Sequence, residues 1–311
     1  MTAQAGAVPQ ATTRPVAVAT TQRHRRLPLR RQFILQLVCL FIGLTVLFPI
    51  LWVVSMAIDP RNISRPDGLT LIPPGASLAA FAQVIQQPTE NPVSFVRLAA
   101  NSLFIAGIIC VASVGIGVLA AYAFSRMRFR GRETLMIGVL AVLMLPAVAT
   151  LAPLYVMLSK IQIGTFNLRD SLFGVALAVT SGTLPFAIWN MKGYIDTIPR
   201  DLEEAAAVDG AGQLQTFWHV ILPLSTPVLA VTAFFGFIAG WTEFYFSWQF
   251  LDRPQDFTLA MALNGMVGQY GNTPWSQFSA FAILVALPVA VVYLLLQRYI
   301  VSGLAIGGVK G

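Results

Sequence analysis

Charge is scarce in this chain: only 11% of its 311 residues are Asp, Glu, Lys or Arg, whereas 56% are hydrophobic and the mean hydropathy is +0.72. A water-soluble domain of that composition would leave a large apolar area wet, unfavourable at about 25 cal/mol per Å². A bilayer suits it. Cysteine is nearly absent too, and Cys39 and Cys110 fall in apolar stretches, where they read as small buried side chains and not as a disulfide. Of the two histidines, His24 lies in the N-terminal segment and His219 in a connecting loop, so neither can serve a serine inside a span as general base. No His/Cys/Asp cluster has metal-ligand spacing. The three lysines occur as SKI, MKG and VKG, which excludes the Gly-Lys-Ser/Thr phosphate loop and with it ATP binding by that device. Within the spans the ionisable groups reduce to Glu243, where an ion-coupled carrier would show several carboxylates. A stand-alone secondary carrier or channel for a small polar solute stays open on these residues alone, and an intramembrane enzyme lacks its acid and base.

What the chain does have is six long apolar runs, at 33–57, 98–124, 135–158, 171–191, 220–246 and 278–297. Each reaches the roughly 20 residues that an α-helix needs to cross about 30 Å of hydrocarbon. None alternates with the period of two that a transmembrane β-barrel requires. Pro49, Pro146, Pro185 and Pro288 inside them predict kinks or close contacts and not breaks. Fourteen Lys and Arg fall on the N-terminal side of the alternating loops and six on the other, which places both termini in the cytoplasm. The basic stretch TQRHRRLPLRR has no aromatic or folded motif beside it and reads as a topogenic patch facing lipid, with no nucleic acid as partner. The predicted organisation is a basic, disordered tail at 1–32, a membrane domain at 33–300 and a cytoplasmic tail at 301–311. An external segment at 58–97 carries one short helix near 78–85, and a cytoplasmic loop occupies 192–222.

That loop contains EEAAAVDGAG, an acidic insertion in an apolar chain. Thr197, Pro199 and Asp201 mark a helix start, and Gly210 supplies a residue tolerant of positive φ at its end. Leu202, Ala205, Ala206 and Asp209 recur at i, i+3, i+4 and i+7. A second short helix is predicted over about 213–220, bringing Phe217 and Trp218 close to the membrane. A helix with so little bulk can enter a groove on another protein. It can equally be an amphipathic connector on the membrane surface.

The order Glu204-Ala205-Ala206, three residues, Gly210, nine residues, Val220, one residue, Leu222-Pro223 resembles the EAA motif of permease subunits in binding-protein-dependent ABC importers. It departs from that pattern only in Val220, where isoleucine is usual. AYAFSRMRFRG, LPLSTPVLAV and the closing GLAIGGVKG extend the likeness over most of the chain from residue 27, and within the family they are similar to the smaller permease subunit of maltose/maltodextrin importers. The resemblance implies an all-α, six-helix permease of the MetI-like, type I importer fold in a bacterial inner membrane. It also implies a second, larger (MalF-like) permease subunit, two ATP-binding subunits that carry ATP and Mg, and an extracellular or periplasmic sugar-binding protein. No cofactor or catalysis is implied on this chain. Glu203, Glu204, Ala205, Ala206, Asp209, Gly210, Leu222 and Pro223 would couple it to the ATP-binding subunit, and Gly307, Gly308, Val309 and Lys310 would reach the same dimer. Trp241, Glu243, Tyr245 and Trp248, in GWTEFYFSW, combine aromatic faces with a carboxylate as a sugar pathway does, and equally as an interfacial belt does.

Overall fold

The computed structural model describes residues 28–63, 71–267 and 273–307, with 300–307 as backbone only. Helix α1 (Leu29–Ala57) buries only Ser55 and Ala57. Such an apolar surface suits lipid or a partner helix and not water. Its Cys39 is exposed, against expectation, while Cys110 is half-buried; both are free thiols. After α1 come the short helix α2 (Ala79–Gln86) and the long α3 (Phe95–Arg126), which Ser94 caps by accepting from the Arg97 N–H.

The third apolar run is not one helix. It forms α4 (Arg132–Val142) and α5 (Ala147–Ser159), which meet at 101°. Pro146 is the cause: it has no N–H to donate and sits extended at ψ 130°, so the chain leaves the helix before it. A hairpin of β1 (Gln162–Ile163) and β2 (Phe166–Asn167), absent from the all-α expectation, leads into α6 (Leu172–Ile195). The loop helix α7 (Asp201–Val208) and α8 (Gln213–Thr216) follow. From Phe217 to Ile221 the backbone widens into π turns, then tightens again in α9 (Leu222–Leu224). Pro223 explains the widening, because its ring would strike the His219 carbonyl in a regular α-helix; instead the Leu222 N–H reaches back to Phe217.

The fifth run continues as α10 (Thr226–Trp241) and, past a break at 242–244, α11 (Tyr245–Phe250). Then come α12 (Leu259–Gly265) and α13 (Trp275–Gly307). Among the described residues five stretches are long and apolar enough to cross a membrane, or six with α4–α5 counted as one bent span.

Helix α3 is the packing centre of 50–311, with α6 and α10 against it along three buried clusters. The first joins Leu98 and Ala106 to Trp241, Leu259 and Phe281; the second joins Ile105 and Ile109 to Val175, Phe250 and Met261. The third, at the far end of α3, gathers Val118, Ala121 and Tyr122 with Met191, Ile195, Phe217 and Ile221. Helix α10 approaches α3 at backbone distance: a Cβ on Gly240 would lie 2.5 Å from the Ala106 Cα, and one on Gly236 would lie 3.1 Å from the Cys110 Cα. Two glycines four apart on an apolar helix permit such contact. The sequence carries these two glycines as GFIAG.

Candidate coupling site

The α6–α7–α8 corner is built from local rules first. Thr197 does not cap α7; its hydroxyl donates back to the Tyr194 carbonyl at 2.7 Å. Helix α7 starts instead with Arg200, whose carbonyl accepts from Glu203 and Glu204, and Asp201, Glu203 and Glu204 crowd its first turn, where the positive end of the helix dipole favours them. It ends in a Schellman turn: the Ala211 N–H reaches Ala206 at 2.9 Å and the Gly210 N–H reaches Ala207 at 3.1 Å. Gly210 closes that turn with φ +83°. Gln215 Oε1 then accepts from the Gly212 N–H at 3.0 Å and starts α8.

The face that meets the bundle differs from the periodic stripe read in the sequence. Glu203 and Ala206 are half-buried, while Leu202, Glu204, Ala205, Val208, Asp209 and Gly210 are exposed. Apolar side chains stand outward among these acidic and polar ones, with Val208 87% and Leu214 70% exposed, and Trp218 beside them about half exposed. Leu222 packs half-buried against the third cluster, and Pro223 is exposed at the α9 turn. The corner is thus a knob of mixed acidic, polar and apolar side chains, with Val208 and Leu214 outward, on a packed base.

Its base is held by charge. Arg126, the last residue of α3, pairs through Nε with Glu203 Oε1, and its Nη2 donates to the carbonyls of Ile195 at 3.0 Å and Ile198 at 2.7 Å. Next to it Ser125 Oγ donates to Asp196 Oδ1, and Lys192 Nζ pairs with Asp196 Oδ2 at 2.6 Å. Burial opposes ionisation of Asp196, but the hydrogen bonds from Lys192 and Ser125 outweigh it and hold its carboxyl below the usual carboxylate range. Below the charges, the Tyr122 and Phe217 rings meet at 4.9 Å between centroids. In the sequence, Arg126 and Lys192 stand out only as part of the Lys and Arg bias. No local pattern links Arg126 to a glutamate on a later helix.

The four aromatic and acidic residues of GWTEFYFSW do not form one site. Trp241 is buried, stacked on Phe237, and its indole N–H donates to the Val285 carbonyl at 3.0 Å. Glu243 is buried and caps α11, accepting from the Phe246 N–H at 2.7 Å, the Ser247 N–H at 2.9 Å and the Ser247 hydroxyl. Tyr245 is exposed. Trp248 alone of the four lines a cleft of about 830 Å³, with Gln83, Gln86, Asn91 and Gln277 among its walls. Leu98 also lines it, near the start of α3, whereas the α7–α8 corner sits at Arg126; at about 1.5 Å per residue the two lie roughly 40 Å apart along that helix. Gly307 ends α13, and Gly308, Val309 and Lys310 lie outside the described residues.

Residues 113–306 match the family model described as the binding-protein-dependent transport system inner membrane component. The chain belongs to that family. As a permease of this kind it is 34% identical over 288 residues to the trehalose/maltose transport system permease protein MalG of Thermococcus litoralis, covering 90% of this chain and 99% of that one. It is 37% identical over 290 residues to the maltose/maltodextrin transport system permease protein MalG of Escherichia coli K12, covering 90% and 96%. Among solved structures, a chain of a bacterial ABC transporter that imports the acidic polysaccharide alginate superposes with a TM-score of 0.71 at 25% identity, over 87% of this permease and 96% of that chain. A chain of the MetNI methionine ABC transporter shares the fold with a TM-score of 0.54 at 18% identity, over 67% and 95%. The permease is therefore a multi-pass membrane component with the MetI-like fold.

Proposed function

We propose that the chain is the smaller permease subunit of an ABC importer for maltose/maltodextrin-type oligosaccharides, seated in a bacterial inner membrane with both termini in the cytoplasm. The observation that carries this reading is full-length likeness: 96% and 99% of two MalG proteins align with it, the motif-bearing loop included. A larger MalF-like permease, two ATP-binding subunits carrying ATP and Mg, and a sugar-binding protein on the outer face complete the machine. Chemistry stays on the ATP-binding subunits.

The α7–α8 corner fits the task of docking. Val208 and Leu214 are apolar, exposed and set on a polar-anchored base, and burying each in a partner cleft contributes about 1.5–3 kcal/mol. Ala205 and Gly210 keep bulk out of the contact. Closure of the ATP-binding dimer then displaces the corner, and α3, α6 and α10 shift to open the pathway outward. Trp241 and Glu243, spent on packing and capping, leave sugar contacts to other groups and to the larger subunit. The segment at 58–97 belongs to the outer face in this orientation and is a candidate contact for the binding protein.

The test is uptake by proteoliposomes holding the full complex and its binding protein, with a panel of oligosaccharides. Maltodextrin uptake into the lumen that needs lumenal ATP supports the reading. Uptake by this chain alone contradicts it.

A further inference from the structure

We propose that Arg126 is the positioning residue that makes α7 move as one body with α3 and α6; this rests on the reading that α7 receives motion from an ATP-binding subunit. The case is geometric. Helix α7 has eight residues and none of them is buried, so packing alone gives it a weak seat. Among the described residues, the ion pair from Glu203 to Arg126 is the one polar side-chain contact that α7 makes outside itself. The Arg126 side chain is only 7% exposed, which shields the pair from competing water.

One guanidinium here grips three points in sequence: the end of α6 at Ile195, the linker at Ile198, and the first turn of α7 at Glu203. Arg126 itself terminates α3, so a push on α7 reaches the central helix through a planar, five-donor fork. A lysine at 126 has a point charge on a flexible stem and cannot hold all three in one geometry. Ser125 and Asp196 add a second tie between the same two helix ends. Glu203 thereby serves the joint, and its exposed neighbour Glu204 is left to face a partner.

The experiment uses the full complex in proteoliposomes, carrying Arg126→Lys, Arg126→Gln or Glu203→Ala. Two quantities are read: sugar imported per ATP hydrolysed, and the electron–electron distance between spin labels at Ala207→Cys and Leu119→Cys in a Cys39→Ser, Cys110→Ser background. In the parent the distance is expected to stay narrow and unchanged between nucleotide-free and ATP-bound states. Arg126→Gln is expected to broaden it and to lower uptake per ATP at least tenfold, with ATP hydrolysis within about twofold; Arg126→Lys should fall between. A narrow distribution or undiminished uptake per ATP in assembled Arg126→Gln overturns the proposal. If that variant fails to assemble, Glu203→Ala, which cuts only the α7 end, must show the same broadening, and a narrow distance there overturns the proposal equally. A parent complex that imports no sugar defeats the functional reading, and the distance measurement still decides the joint.

Discussion

Gly210 combines φ +83° with open space around its missing Cβ, so a side chain there meets strain and no clash. Gly210→Ala should cost about 1–2 kcal/mol through the left-handed backbone, and Gly210→Asn less, since asparagine tolerates that region. Thermal unfolding of the complex checks the order, and Gly210→Val should lose the most uptake of the three. Asp196 supplies a pH prediction. Its folded carboxyl is held below the usual range, so its stabilisation is complete above the ordinary value of about 3.9 and is lost only as pH falls through the lower folded value. The stability difference between parent and Asp196→Asn should therefore be flat from pH 8 to about 5 and close only in stronger acid. At this scale the sequence showed Gly210, because motif spacing marks it, and concealed Arg126, because its partners lie on α6 and α7 and only the folded chain joins them.

Among elements, contact distance decides more than composition. Helices α3 and α10 touch through Gly236 and Gly240, and a methyl at 240 would lie 2.5 Å from backbone. Gly240→Ala should thus force the helices apart and destabilise by about 1–3 kcal/mol, as overpacking does, while alanine at Gly138, where nothing lies within 4 Å, should be neutral or stabilising. Detergent-solubilised melting of both variants distinguishes them. Helix α11 tests the role of Glu243: Glu243→Gln keeps an oxygen for the cap and should retain maltodextrin uptake, whereas Glu243→Ala loses the cap at about 1 kcal/mol. Uptake abolished by Glu243→Gln would instead make the carboxylate a pathway group. The number of spans was legible from apolar length, five or six with the bent pair, but a length test does not sense continuity. It read through the 101° bend before Pro146, the π turns before Pro223 and the break at 242–244, all of which depend on where single carbonyls find donors.

For the whole molecule, the family is legible in a short acidic loop set in an apolar chain, and the family model and full-length likeness to MalG proteins agree with it. The proposed orientation rests on the bias of Lys and Arg, fourteen to six, and would put the α7–α8 corner in the cytoplasm. The central claim is that this corner is seated in an ATP-binding subunit. A photo-reactive phenylalanine analogue placed at exposed Val208, in cells expressing the whole importer, tests it most directly. A covalent adduct with the ATP-binding subunit, absent when the same group replaces exposed Ile163 in the β1–β2 hairpin, is the result the account predicts; adducts with lipid alone at Val208 would contradict it.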